Sequence, residues 1–213
     1  MKVLKTLIFS SLIVIATSVH AQLDLTFQVE KLDSSINSSF SEVAPVFSPD
    51  GKRMYFIRIN HPENRFGEQD SQDIWFSDMV DGKWSNAMRL PDNVNLGRYN
   101  AIYCVLSSGE MIINGIYDRR GDFMGRGLSK VTINGDSFNP PIPLKIKGFS
   151  RKSDGAIGSV GFDKTGTKMI LSYSKSNSSN KNNLYVSSLK KLTWSKPKKL
   201  KGVNSTKSDE SPY

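Results

Sequence analysis

Three phrases along this chain repeat one pattern. "SPDGKRMYF", "LSSGEMIIN" and "DKTGTKMIL" each set a glycine turn ahead of an apolar run, and their glycines, Gly51, Gly109 and Gly166, lie 58 and 57 positions apart. A second run follows each phrase, "DIWFSD", "GLSKVT" and "NLYVSS", aligned on Ile74, Leu128 and Leu184. A turn then delivers an aromatic in "DGKWSNAMRL", "GDSFNPPIPL" and "KLTWSKPKKL", with Trp84, Phe138 and Trp194 spaced 54 and 56 positions apart. Three landmarks that keep one period mark a supersecondary unit used three times, and such units bury their apolar faces by stacking on one another.

The runs between turns are strands. "RMYFIRI", "DIWFSDM", "EMIINGI", "LSKVTI", "KMILSYS" and "NLYVSSL" are rich in β-branched and aromatic residues. Beyond residue 21 no segment carries helical periodicity. The predicted fold class is all-β. Each unit holds about four short strands, and a four-stranded unit at this period is the mark of a β-propeller blade. The expected architecture is a partial β-propeller of three four-stranded blades, plus an N-terminal strand that would close a missing last blade. The blades are expected at 41–97, 98–152 and 153–207. Gly51, Gly109 and Gly166 supply the positive φ of a tight connection, and Trp84, Phe138 and Trp194 are expected to pack between neighbouring blades.

Both ends of the chain echo the repeat. Leu25 to Val46 aligns with Leu192 to Tyr213, setting Phe27 against Trp194, Leu32 against Leu200 and Pro45 against Pro212. Residues 22–40 are therefore expected to be a lone outer strand and its linker. "SDESPY" (208–213) matches the acidic lead-in of "SEVAPVF" and is expected to open a fourth, truncated blade. Propellers close with about four to eight blades. Three blades alone are expected to expose sheet edge and apolar surface, so the chain should be aggregation-prone or depend on further sequence or a partner.

Residues 1–21 have the pattern of a signal peptide. Lys2 and Lys5 precede an apolar core, and Val19-His20-Ala21 presents a cleavage site before Gln22. The serine-broken apolar stretch falls short of the roughly 20 residues that span a bilayer. Export is the expectation, to the periplasm, outer membrane or cell surface. Loss of Lys2 and Lys5 takes the formal charge from +9 to +7. Much of the remainder is one late run, Lys190, Lys191, Lys196, Lys198, Lys199 and Lys201, around Trp194. Such a run is a solvated strand and loop or a patch for anionic glycan; nucleic acid is not expected as a partner of an exported chain. The one cysteine, Cys104, forms no disulfide within the chain and is expected as an apolar filler.

Catalytic patterns are weak. "GSVG" (158–161) falls one residue short of a nucleophile elbow, because Ile157 stands where the first glycine is needed, and is expected to be a loosened inner strand. "GRGLSK" (125–130) lacks the lysine and hydroxyl ending of a phosphate loop and is expected to be a turn into a strand. After the leader, His61 is the only histidine, which excludes multi-histidine metal sites. "HPENRFGEQDSQD" (61–73) gathers Glu63, Glu68, Asp70 and Asp73. Those oxygens suit Ca²⁺, yet their spacing is not an EF-hand, and a solvated loop is preferred. It is the longest insertion in the repeat. His61, Glu63, Arg65, Phe66, Glu68 and Asp70 are therefore the candidate partner-contacting residues. No catalytic residue, metal or cofactor is expected. Asp50, Asp73 and Asp81 fit turn and strand-edge positions, and Asn37, Asn177 and Asn204 begin sequons expected to be polar loop.

"APVFSPDGKRMYF … QDIWFSDMVDGKWSNAMRL" resembles the WD40-like propeller repeat of the TolB type, with its Ser-Pro-Asp-Gly-Lys turn, Tyr-Phe strand, Asp-Ile-Trp strand and Gly-Lys-Trp-Ser turn. The third unit keeps much of this pattern. The second departs, with Ser107-Ser108 for Pro-Asp and Phe138 for Trp. The form is also similar to the exported propeller segment of Bacteroidetes OmpA-family outer-membrane proteins. The repeat, the signal-peptide pattern and the lack of a recognisable catalytic set lead to the expectation of a non-enzymatic binding or scaffold module that contacts protein or cell-envelope glycan, reaching a membrane only through another domain or partner. The alternative is the propeller domain of a secreted hydrolase, glycan-processing or gating a serine peptidase.

Overall fold

The computed structural model describes residues 29–150, 152–176, 178–179 and 181–212. Residues 1–21 and Phe27, and with them the signal peptide and the core of the lone N-terminal strand, lie outside the described residues, as does Asn177. Of the first unit, Met1–Lys31, the described residues Val29–Lys31 are exposed and irregular. Leu32–Tyr213 forms the other.

Within the second unit the strands form three antiparallel meanders. Blade 1 holds β1 (Ser41–Phe47), β2 (Arg53–Ile59), β3 (Gln72–Val80), β4 (Lys83–Trp84) and β5 (Met88–Arg89). Blade 2 holds β6 (Ile102–Val105), β7 (Glu110–Tyr117), β8 (Phe123–Asn134), β9 (Ser137–Phe138) and β10 (Ile142–Pro143). Blade 3 holds β11 (Ile157–Phe162), β12 (Lys168–Tyr173), β13 (Asn183–Lys190), β14 (Thr193–Trp194) and β15 (Lys198–Lys199). The first strands lie side by side, β1 by β6 and β6 by β11. The fold is β-propeller-like, three four-stranded blades with each fourth strand broken in two.

That break has a sequence cause. Ser85 and Ser195 sit just after the aromatic and turn back on the third strand. The backbone N–H of Asp78 donates to Ser85 Oγ at 3.1 Å, and that of Ser188 to Ser195 Oγ at 3.0 Å. Ser77 and Ser187 hydroxyls donate to the carbonyls of the same two serines at 2.6 and 2.7 Å. In blades 2 and 3 prolines follow, Pro140, Pro141 and Pro197, and they have no N–H for a ladder. The turn glycines have the expected conformation, with φ of +70° at Gly51, +82° at Gly109 and +66° at Gly166.

Blades pack through alternate side chains. Tyr55, Ile74, Phe76, Leu90 and Val94 of blade 1 meet Met111, Ile113, Val131 and Phe138 of blade 2 in one buried cluster. Ile112 and Leu128 of blade 2 meet Met169, Leu171, Tyr173, Tyr185 and Trp194 of blade 3 in another. Each fully buried aliphatic chain contributes about 1.5–3 kcal/mol. Trp84 lies half-buried beside a third cluster of Ile36, Met54, Phe56 and Trp75. Phe138 and Trp194 thus lie between blades, and Trp84 lies on the face of blade 1 turned away from blade 2.

The two ends differ from the middle. The repeat-equivalents of Tyr55, Ile74, Phe76, Leu90 and Val94 in blade 3 are Ile170, Leu184, Val186, Leu200 and Val203. Four are half-buried and Val203 is 59 % exposed, whereas Val94 is fully buried. The onward face of blade 3 is therefore an uncovered apolar sheet surface. Next to it Ser211 takes φ +53°, the same left-handed conformation as Ala44, its counterpart before Pro45. Asp209 N–H donates to Asn182 O at 3.1 Å, as Asn100 N–H donates to Gln72 O at 2.9 Å where blade 2 begins.

"GRGLSK" is not a turn. It lies inside β8, whose pairing with β7 shifts register on either side of Ile116. Gly127, at φ +147°, leaves room that a Cβ would take from the Ile116 side chain 2.6 Å away. "GSVG" lies in inner strand β11. Cys104 is half-buried against the cluster shared by blades 2 and 3, and burial pushes its thiol up to about 12, so it stays protonated.

Candidate ligand-binding site

Antiparallel meandering puts the β1–β2 type turns at one end of each blade. The β2–β3 type loops and the linkers between blades lie at the other end, here called the loop face. At the loop face of blade 2 is a cavity of about 380 Å³. Its wall comes from three places: the linker residues Gly97, Arg98 and Tyr99, the blade 2 residues Tyr103, Asn114, Gly115, Tyr117, Phe123, Arg126 and Gly127, and Ala156 and Ile157 at the start of blade 3.

Tyr117 is the pivot of this wall. Its side chain is 3 % exposed, and its hydroxyl makes no hydrogen bond among the described residues. The ring fits there because Gly97 and Gly115 have no side chain. A Cβ on Gly115 would stand 2.8 Å from the Tyr117 hydroxyl, and Gly115 is at φ +84°. Burial pushes the phenol up to about 12, so it remains a neutral donor. Phe123 packs edge-on against Tyr117 at 5.9 Å and is 60 % exposed at the mouth. Tyr103 donates to Ile157 O at 2.5 Å, and burial raises its pKa well above the usual phenol value. Asn114 is committed, accepting from Ala101 N–H at 2.8 Å and donating to Tyr99 O at 2.8 Å.

Among the described residues, the guanidinium groups of Arg98 and Arg126 line the cavity. Arg98 Nη1 donates to Gln69 O at 2.9 Å, and its Cζ lies 4.9 Å from the Phe66 ring centre. Arg126 is half-buried, and its closest acceptor among the described residues is Asp154 O at 3.4 Å. Among the described residues, no carboxylate or imidazole lines the cavity. The arrangement suits holding an anion beside aromatic rings.

The 61–73 loop reaches this site with two of its six predicted residues. Phe66 lies under Arg98, and Asp70 accepts from the Tyr99 hydroxyl, which raises the Tyr99 pKa. Arg65 anchors the loop from behind, its Nη1 donating to Asp92 O at 3.1 Å and Asn95 O at 3.0 Å. His61 is elsewhere, edge-on to Trp75 at 4.6 Å and to Phe40 at 4.9 Å, with its pKa lowered mainly by burial. Glu63 and Glu68 are exposed. Asp73 has left the loop. Fully buried, it accepts from Arg65 N–H at 2.7 Å, Arg89 Nη1 at 2.9 Å and Asn100 Nδ2 at 2.8 Å. Those bonds occupy the carboxylate that the Ca²⁺ alternative would have needed, and among the described residues no acidic cluster has metal-binding geometry.

No protein-family model matches the sequence, and no curated protein sequence matches it. Solved structures with a similar arrangement include a puromycin-hydrolysing peptidase of Mycobacterium tuberculosis, 13 % identical over 72 % of this chain and 21 % of that one, at a TM-score of 0.41. The periplasmic gluconolactonase PpgL of Pseudomonas aeruginosa is 13 % identical over 66 % of this chain and 38 % of that one, at 0.40. The propeller domain of the Trilobed protease of Pyrococcus furiosus is 14 % identical over 71 % and 57 %, at 0.25. The chain spans less than two thirds of each. Likeness at this level carries nothing about ligand, chemistry or partner.

Proposed function

We propose that this chain is an exported, TolB-type propeller module of the cell envelope that binds glycan at its loop face without transforming it. The observation that carries the reading is the cavity at blade 2, walled by Tyr99, Tyr103, Tyr117 and Phe123 with Arg98 and Arg126, and with no carboxylate or imidazole among the described residues. Exposed aromatic rings at a cavity mouth offer apolar contact, and arginine forks fix orientation. The signal-peptide pattern and the Ser-Pro-Asp-Gly-Lys repeat support a place in the periplasm or at the outer membrane.

The test is calorimetric titration of the protein, purified from the periplasm of an expressing host, against a panel of neutral and acidic envelope glycans. Tyr99→Ala/Phe123→Ala is the control, since both side chains lie at the surface. Saturable binding that the double variant weakens at least about tenfold is expected. No binding across the panel, or binding indifferent to the variant, would overturn the reading. Breakdown of a glycan during titration would favour the secreted-hydrolase alternative.

A further inference from the structure

The glycan reading leaves the kind of sugar open, and the cavity narrows it. We infer that the blade 2 cavity takes an acidic sugar, a pyranose ring bearing a carboxylate. This inference rests on the glycan-binding reading and adds the charge.

Three observations point the same way. First, Arg126 is half-buried in the wall with one long contact, to Asp154 O at 3.4 Å, so most of its five donors face no protein acceptor among the described residues. A guanidinium in that state is a ready fork for a planar carboxylate, and a charge-assisted pair is roughly twice as strong as a neutral one. Arg98 adds a second positive charge, held in place through Gln69 O and Phe66. Second, the Tyr117 hydroxyl, on a residue only 3 % exposed, makes no hydrogen bond among the described residues and so can donate and accept. A sugar hydroxyl satisfies it. Third, Tyr99 and Phe123 stand 49 % and 60 % exposed at the mouth. The C–H face of a pyranose is apolar, and its slightly positive hydrogens suit the negative face of an aromatic ring.

Among the described residues, no carboxylate forms an ion pair with Arg98 or Arg126. Asp70 is tied to the Tyr99 hydroxyl at the rim. Asp154 is buried and accepts from Ser150 N–H at 2.8 Å, with Lys175 Nζ 3.8 Å away. The cavity of about 380 Å³ falls at the small end of ligand sites, which fits one or two sugar rings.

The experiment titrates the protein with tri-galacturonate, with neutral galactotriose, and with a sulfated galactotriose, at low salt. Tri-galacturonate is expected to bind at least about tenfold more tightly than galactotriose. Arg126→Gln should erase most of that margin, and Arg126→Lys, which keeps the charge but loses the fork, should restore it only in part. Tyr117→Phe should weaken both ligands. Circular dichroism and melting temperature unchanged in each variant exclude loss of fold.

Equal affinity for acidic and neutral trisaccharides would overturn the acidic-sugar assignment and leave glycan binding standing. Equal or tighter binding of the sulfated trisaccharide would overturn selectivity for carboxylate. Binding of none of the three galactose-based ligands, beside binding of another panel glycan that Tyr99→Ala/Phe123→Ala removes, would overturn this inference alone. No binding in either experiment overturns both.

Discussion

Ser48 and Asp163 stand at the same place in the repeat and make the same bond with different chemistry. Arg53 N–H donates to Ser48 Oγ at 2.9 Å, and Lys168 N–H donates to Asp163 Oδ1 at 2.9 Å. Asp163 also accepts from Thr167 N–H at 2.8 Å, and these bonds hold its carboxyl below the usual value. A pKa lowered by folding contributes stability above the unfolded value, about 4, and that contribution is lost as pH falls through the folded value. Asp163→Asn should therefore flatten the pH dependence of the unfolding midpoint below about pH 4. Carbon-detected NMR should find the Asp163 midpoint below that of exposed carboxylates. The turn glycines set a second expectation. Gly51→Ala and Gly166→Ala should each cost about 1 kcal/mol in urea unfolding, because alanine resists φ near +70° and +66°. Both turns were legible in the sequence, since a positive-φ position shows as glycine. Tyr117 was not, because what makes room for it is the absence of side chains at Gly97 and Gly115, two linker and strand positions far apart in the chain.

At the scale of the element, the linkers between blades carry a device that the sequence showed only as polar loop. Asn95 clasps the third strand of blade 1. Ile74 N–H donates to its Oδ1 at 2.8 Å, and its Nδ2 reaches Ile74 O at 3.1 Å and Leu90 O at 2.8 Å. Asn204 repeats all three bonds on Leu184 and Leu200, at 2.6, 3.1 and 2.6 Å. Asn37 makes the corresponding bond to Leu32 O. Asn95→Ala leaves buried backbone groups unpaired and should cost about 2–3 kcal/mol. Asn204→Ala, at a half-exposed site that water reaches, should cost about 1 kcal/mol. Denaturant midpoints of the two variants check the difference. An equal loss would mean that the Asn204 clasp is as buried in solution as the Asn95 one. The linker after blade 2 has no such asparagine. It pairs with blade 3 instead, Trp194 N–H donating to Lys145 O at 2.7 Å and Lys147 N–H to Trp194 O at 3.0 Å. Here lies the reason the cavity escaped a reading by repeat: alignment shows what the blades share, while Arg98, Tyr99, Phe123 and Arg126 belong to positions where blade 2 and its linkers depart. The long 61–73 insertion was legible for the same reason in reverse, as a visible surplus against the period.

Across the whole molecule the repeat explains both what is buried and what is not. Identical positions are sealed between blades 1 and 2 and open on blade 3, where Val203 is 59 % exposed and Leu200 half-covered. Lys198, Lys199 and Lys201 flank this surface and blunt it with charge. An apolar sheet face that matches a blade contact is a surface for association. Sedimentation velocity of the purified protein over a concentration series tests this directly. Average mass should rise with concentration, and Val186→Glu/Val203→Glu should return a monomer with its β-sheet circular dichroism intact. A wild-type monomer at every concentration, melting in one cooperative transition, would contradict the account.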